Sequence, residues 1–372
     1  MGKLILVTGG AGFIGSHLVD LLAKKGHSVR VLDNLEPQVH GSEKPNYLNP
    51  KASYLWGDVR DPAMLAKALQ GVEAVFHEAA MVGVGQSMYQ VDKYCDVNVQ
   101  GTARLLEFLV NKPHSVRKLV VASSMSIYGE GAYTCNDCGP VHPELRPESQ
   151  LKAKEWEPKC PNCRRPVRSI PTGEQKPPHP TSVYAVTKRD QEELAISVGR
   201  AYGLPTVALR YFNVFGPRQS LSNPYTGVCA IFSSQIKAGN PPKIYEDGAQ
   251  TRDFVSVSDI AAANLLVLES AKASFQAFNV GSGRPVSILQ VAQTLIDLYK
   301  KPMKPTVANA FRAGDIRHCY ADIGRIRKLG YEPSVSFEQG MRELVQWGQY
   351  AKSEDKTAEA HAELVQRGLV AR

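Results

Sequence analysis

Tyr184 and Lys188 stand four residues apart in the segment YAVTK, and on a helix that spacing puts both side chains on one face. An ammonium beside a phenol stabilises the phenolate, drawing a group of ordinary pKa about 10 towards working pH. The pair then has the chemistry of a general base acting on a hydroxyl. Tyrosine and lysine at this spacing are common on ordinary helices, so a third group matters. Ser124 supplies it, in SSMSIYG directly after the strand-like run KLVVA, because open α/β sheets bind ligands at the carboxyl ends of their strands. Its hydroxyl can hydrogen-bond the reacting oxygen.

A second constellation is glycine-rich. Gly9, Gly12 and Gly15, with Phe13 and Ile14 between the last two, lie in TGGAGFIG after the strand-like LILV. Glycine there permits a tight turn, lets a pyrophosphate approach the N-terminus of the following helix, and lets that helix pack on its strand. The spacing GxxGxxG differs from the GxGxxG of the ordinary dinucleotide fingerprint. Asp33, followed by Asn34, ends the next strand at the distance expected for the acid that binds an adenine ribose. A carboxylate accepts hydrogen bonds from both ribose hydroxyls and repels a 2′-phosphate, which favours NAD over NADP.

The third constellation is metal-like. Cys135 and Cys138, then Cys160 and Cys163, form two Cys-x-x-Cys pairs separated by 21 residues, while Cys95, Cys229 and Cys319 are scattered. In a reducing compartment such pairs favour a metal over disulfides. Four thiolates make a closed tetrahedral shell with no place for water, so the ion would be a structural zinc. The alternative is four surface thiols. A nucleic-acid-binding ribbon fits poorly, since Trp156 is the segment's one stacking aromatic.

The elements that must position these groups follow a regular rhythm. Strand-length apolar runs alternate with helical patterns: KLILVTG, FIGSHLVDLLAKKG, HSVRVLD, GVEAVFHEA, VRKLVVASS. That rhythm predicts an α/β fold, a Rossmann-type doubly wound parallel sheet with helices on both faces. The expected organisation is a first nucleotide-binding part over 1–134, a four-Cys zinc-ribbon insertion over 135–163, a second part over 164–216 carrying the YxxxK helix, a smaller C-terminal substrate domain over 217–350, and a polar helical tail over 351–372. Anchored by zinc, the insertion would form a rigid flap near the mouth of the site or a subunit contact. The tail has few apolar anchors, which leaves it either frayed or packed on a partner.

A chain of 372 residues with 43% hydrophobic content can build its core without a metal. The net charge of +8 suits an anionic partner, but acids and bases are interleaved rather than blocked, so a phosphorylated small molecule accounts for it without nucleic acid. No apolar run approaches the roughly 18 residues of a membrane span, and no signal-peptide pattern precedes the first strand. The expected location is the cytoplasm.

Taken in order, TGGAGFIG, VLDNL, GDVRD, HEAA, NVQGT, SSMSIYG, YAVTK, RYFNVFGPRQ, EDGAQTRDFVSVSD and RAGD resemble the extended short-chain dehydrogenase/reductase family, in particular its nucleotide-sugar epimerases and dehydratases. The resemblance covers nearly the whole chain apart from the cysteine insertion and the tail. It implies Ser124, Tyr184 and Lys188 as the catalytic groups, Asp58 and Val59 beside an adenine, Ala79 and Ala80 along the centre of the cofactor, and Lys188 and Asn98 as further cofactor-binding residues, Asn98 also supporting the nearby loop. It also implies a nucleotide-diphosphate sugar held by Ser124, Ser126, Tyr184 and Asn213, with Arg252 and Arg312 as charged clamps and Cys319 widening the sugar pocket. A homodimer is the assembly it suggests. Ser256 stands where the family often has histidine.

The same resemblance narrows the reaction. Dehydratases of the family carry an Asp-Glu pair after the catalytic Ser or Thr, whereas Met125 and Ser126 stand here. Members acting on uronic acids often place an arginine where this chain has Gly85. What remains is C4 epimerisation: oxidation to a 4-keto sugar, turnover of the sugar in its pocket and re-reduction on the other face. A 4-dehydrogenase or 4-ketoreductase with the same triad is the alternative, as is a non-catalytic dinucleotide sensor, a class that typically loses the Tyr or Lys. dTDP-L-rhamnose, UDP-glucose and UDP-galactose are the expected substrates.

Overall fold

The computed structural model describes residues 2–312 and 314–371. Seven parallel strands form its central sheet: β1 (Leu4–Thr8), β2 (Ser28–Asp33), β3 (Ser53–Trp56), β4 (Ala74–His77), β5 (Lys118–Ser124), β6 (Thr206–Tyr211) and β7 (Gln276–Val280). Their spatial order is β3-β2-β1-β4-β5-β6-β7, with Val7 beside Val31 on one side and Phe76 on the other. The order reverses between β1 and β4, and at such a switch point the carboxyl ends of the strands open a crevice for ligands.

Alternation along each strand explains the two covered faces. Ile5, Val7, Val31, Phe76, Val120 and Leu209 point to one side, where they pack with Leu18 and Leu22 of the helix Phe13–Lys24 and Ile260 and Val267 of the helix Val257–Glu269. Leu6, Leu32, Val75, Leu119 and Val121 point to the other, against Leu65, Leu105, Leu109 and Ala195. A third core gathers Phe215, Phe232, Phe254, Leu295 and Leu344 beneath a small mixed sheet. In that sheet the strand Thr251–Ser256 pairs with Asn213–Phe215, Pro285–Ser287 and His318–Cys319. The chain between 217 and 350 thus builds most of this second unit, joined by the preceding strand Asn213–Phe215, but also returns twice to the main sheet, through Val257–Glu269 and β7.

The cysteine segment folds as a three-stranded antiparallel sheet, Ala132–Cys135 at its centre between Gly139–Val141 and Arg168–Ile170. Among the described residues no helix is long and apolar enough to cross a membrane.

Candidate active site

One large cavity, about 1050 Å³, lies along the carboxyl ends of the main strands and runs into the second unit. Its first half is built by the glycine turn. Gly9 has φ +69°, and a Cβ on Gly15 would stand 2.2 Å from the Gly9 carbonyl oxygen, so larger residues cannot make this approach. Gly12 caps the helix Phe13–Lys24 without any side-chain hydrogen bond, leaving its first amides open to an anion. Phe13 and Ile14 line the same wall.

Asp33 ends β2 at the cavity edge, where Oδ2 accepts from the Ala11 amide at 2.9 Å and Oδ1 from the Leu35 amide at 2.8 Å. Asn34 donates to Asp58 at 2.9 Å, and the Arg60 guanidinium grips the same carboxylate. That pairing holds Asp58 down to about 2. Val59, Ala79 and Ala80 complete this half. The cradle that a Cβ would fill, the open helix terminus and the acid at the end of β2 together fit a dinucleotide with a free 2′-hydroxyl.

The three groups expected to be catalytic, Ser124, Tyr184 and Lys188, all line this cavity. Ser182 caps the helix Val183–Tyr202 by accepting from the Ala185 amide at 3.1 Å, which fixes the turn bearing Tyr184. The Tyr184 amide donates to Ser87 at 3.0 Å. Ser124, at the end of β5, accepts from both the amide and the hydroxyl of Ser126 and hydrogen-bonds Tyr184. Lys188 lies one turn beyond Tyr184, its Nζ donating to Gln191 at 2.7 Å, while Gln191 donates to Thr102 at 2.7 Å.

Burial sets the protonation of this trio. It pushes the Tyr184 phenol above its ordinary 10, with the Ser124 hydrogen bond as a partial offset, and lowers Lys188 to about 8 against the attraction of Glu78 and Glu192. The expectation from sequence is that Lys188 and a positively charged nicotinamide together bring the phenol towards working pH; in the cofactor-free chain desolvation outweighs the lysine.

A stability consequence follows. Lys188 has a folded value below its ordinary 10.5, so between about 8 and 10.5 the unfolded chain holds a proton that the folded chain lacks. Stability rises with pH through that window, and the full cost is in place below 8. Lys188→Met removes this dependence, so the Tm of the variant relative to the native cofactor-free protein should fall as pH rises from about 8 to about 11. A difference in Tm that stays constant across that window would contradict the lowered lysine.

Glu78 is a site residue that the motif reading passed over. It lines the cavity beside Lys188, burial raises it to about 7, and its carboxylate accepts from the Tyr211 hydroxyl at 2.8 Å. Its position at the end of β4, in HEAA, was the available signal.

In the substrate half, Asn213 has a buried Oδ1 without a hydrogen-bond partner, a group that asks for a ligand. The Arg252 guanidinium lines the wall and donates to the Ile316 carbonyl at 2.7 Å and the Arg317 carbonyl at 2.9 Å. Arg312 lies over the Tyr245 ring at 4.7 Å and pairs with Asp315 at 2.8 Å. Ser126 also faces the cavity.

Two expected contacts do not reach it. Asn98 is fully buried behind the wall, bonded to the Met81 amide and carbonyl and to Thr187, so it pins the loop after β4 to the helix Val183–Tyr202 and does not line the cavity. Cys319 is 1% exposed and packs in the main core, 3.8 Å from Thr172. Its strand turns the thiol towards the seam with the insertion, and burial pushes it up to about 12.

The four cysteine sulfurs lie within 4.8 Å of one another, and Cys160 accepts backbone hydrogen bonds from Asn162 and Cys163. A donor set of four sulfurs at this spacing fits a tetrahedral zinc ion. None of residues 130–180 lines the cavity, so the insertion is no flap over its mouth. It packs behind the substrate half: Arg146 forms a buried pair with Glu246 at 2.9 Å and donates to the Asp315 carbonyl at 3.1 Å. Glu157 takes the Arg317 guanidinium at 2.7 Å, and Glu130 accepts from the amides of Arg317 and His318.

Residues 5–149 and 160–281 match the model of the NAD dependent epimerase/dehydratase family. The chain is 38% identical over 351 residues to the dTDP-L-rhamnose 4-epimerase of Burkholderia thailandensis, covering 93% of this chain and 95% of that one. Among solved structures it resembles UDP-glucose 4-epimerase of Thermotoga maritima with UDP-glucose, with a TM-score of 0.77 and 32% identity over 93% of this chain and 98% of that one. The Thermus thermophilus UDP-glucose 4-epimerase in complex with NAD gives a TM-score of 0.74 at 30% identity, over 94% of this chain and 100% of that one.

Proposed function

The chain belongs to the NAD-dependent epimerase/dehydratase family and is an NAD-dependent nucleotide-sugar 4-epimerase, and we propose that it acts on a pyrimidine-nucleotide hexose, dTDP-L-rhamnose first, with UDP-glucose and UDP-galactose next. The observation that carries this reading is the placement of Ser124, Tyr184 and Lys188 between a dinucleotide cradle and a substrate half with an unpartnered Asn213 and two arginines. Bound NAD supplies the hydride acceptor and donor. Tyr184 takes the proton from the C4 hydroxyl at its phenolic oxygen and returns it on re-reduction, Ser124 holds the same oxygen, and Lys188 stabilises the phenolate once the oxidised nicotinamide adds its charge. Asn213, Arg252 and Arg312 hold the diphosphate.

Gly85 offers no cation for a carboxylate at C6, which supports a methyl or hydroxymethyl group there. Turnover of dTDP-L-rhamnose, UDP-glucose, UDP-galactose and UDP-glucuronate, compared at catalytic NAD, tests the ranking. Fastest turnover of the glucuronate would overturn it.

The proposal also assigns one structural zinc ion to Cys135, Cys138, Cys160 and Cys163, in a reducing cytoplasm that keeps the thiols available. One zinc per chain is expected by elemental analysis. Cys135→Ser or Cys160→Ser should lose it with the main sheet still folded, since the cores on its two faces contain none of these four cysteines. Metal-free protein from chelator-free preparation would refute the assignment. A homodimer is proposed as the working assembly; a monomer mass by light scattering would contradict it.

A further inference from the structure

The polar tail, expected to fray or to pack on a partner, lies across this chain's own cavity. Its helix, Thr357–Gln366, places His361 and Leu364 in the cavity lining, and Leu369 follows them. On one side Glu363 accepts from the hydroxyls of Tyr89 at 2.7 Å and Tyr225 at 2.9 Å, and the Arg367 guanidinium sits 4.1 Å from the centre of the Tyr89 ring. On the other side His361 pairs with the Tyr245 hydroxyl at 2.8 Å and with Lys243 at 3.1 Å. Beyond the helix, the strand Val370–Ala371 pairs antiparallel with Phe311–Arg312, the strand that carries one of the two clamp arginines.

We propose that residues 353–371 are a strap forming the outer wall of the substrate half, with His361 and Leu364 as binding residues for the nucleoside diphosphate part of the substrate. Three observations converge on this. The strap bridges both units: Tyr89 precedes the catalytic helix, whereas Tyr245 and Arg312 belong to the substrate unit, so its closure fixes the width of the cavity between them. Leu364 is 6% exposed, and a Cβ on Gly85 would meet its methyl groups at 3.4 and 3.6 Å. The space above Gly85 is thus filled by an apolar side chain from the tail. Lys243, Arg252 and Arg312 line the cavity with His361, a wall suited to a diphosphate.

The tethers also set how the strap behaves. They are hydrogen bonds, those of Glu363 and His361 together with those joining Ser353, Glu354, Asp355 and Thr357 to Ser234, Ser222, Asn240 and Gln235, then ring contacts of His361 and Arg367 and a two-residue strand pair, with a single buried leucine on the helix. Such a segment opens more readily than the sheet beneath it, which lets a ligand in and then closes on it.

The inference rests on the nucleotide-sugar reading of the cavity, and binding of dTDP and UDP tests it apart from turnover. In the full chain, dTDP should slow amide hydrogen exchange across 357–366. The full-length double variant Glu363→Ala/Leu364→Ala should bind dTDP and UDP at least about tenfold more weakly by calorimetry with NAD affinity unchanged. Glu363→Gln, which keeps an acceptor for the tyrosines, should recover part of the loss. Unchanged exchange with dTDP bound, or equal or tighter nucleotide binding by the double variant, would overturn the strap. A chain that binds dTDP with these signatures yet epimerises no sugar would fail the parent reading alone.

Discussion

Tyr184→Phe is expected to cut turnover at least about a hundredfold, the lower end of general acid–base contributions, while leaving NAD binding nearly intact. The phenyl ring keeps the edge-on contact with Tyr94, whose ring centre lies 6.5 Å away, so the fold has little reason to change. What disappears is the phenolic oxygen that takes the proton from the C4 hydroxyl and returns it. Lys188 cannot replace it, because in the proposed mechanism the ammonium supports the phenolate and does not take the substrate's proton. Ser124→Ala should do less damage, since the serine orients the reacting oxygen and carries no proton in the mechanism. Normal turnover by the Phe variant would remove Tyr184 from the chemistry.

The second large effect is cofactor choice. NAD should bind at least about a hundredfold more tightly than NADP. A 2′-phosphate about 4 Å from the Asp33 carboxylate meets a repulsion of roughly 4 kcal/mol at an effective dielectric of 20, and the contact lies at a partly screened edge. Asp33 also accepts the Ala11 and Leu35 amides, so Asp33→Ala should weaken both cofactors somewhat while narrowing the gap between them. Adding a basic residue nearby should narrow it further. Equal affinity of the native protein for both dinucleotides would sink this role for Asp33.

How much of this was legible in sequence depended on how local the signal is. The glycine turn, the acid ending β2, the Tyr-Lys pair and the paired cysteines are each specified within a few residues by backbone geometry or ligand spacing. The parallel sheet followed from its apolar runs. β7 did not, because Gln276–Val280 lies inside a stretch of mixed character and joins the main sheet beside β6, far back in sequence.

Side-chain direction was the other limit. Cys319 and Asn98 sit in the right segments but turn inward, and a motif does not show which way a residue faces. Glu78 was hidden for the opposite reason: nothing in HEAA marks its carboxyl as buried until Tyr211 and Lys188 are brought to it. The tail reads as polar because its anchors are Tyr89, Tyr225 and Tyr245, none of them near it in the chain. Likewise the insertion's place behind the arginines rests on Arg146 and Glu157 meeting Glu246 and Arg317, pairs that only the folded chain brings together.

The central claim is that hydride leaves C4 and returns to it within one active site, with the cofactor regenerated. Proton NMR of nucleotide sugar incubated with the protein at catalytic NAD, read together with absorbance of the reduced nicotinamide, tests it most directly. The account predicts accumulation of the C4 epimer to an equilibrium mixture with no net NADH. Formation of a 4-keto product in step with stoichiometric NADH would contradict it and make the protein a dehydrogenase.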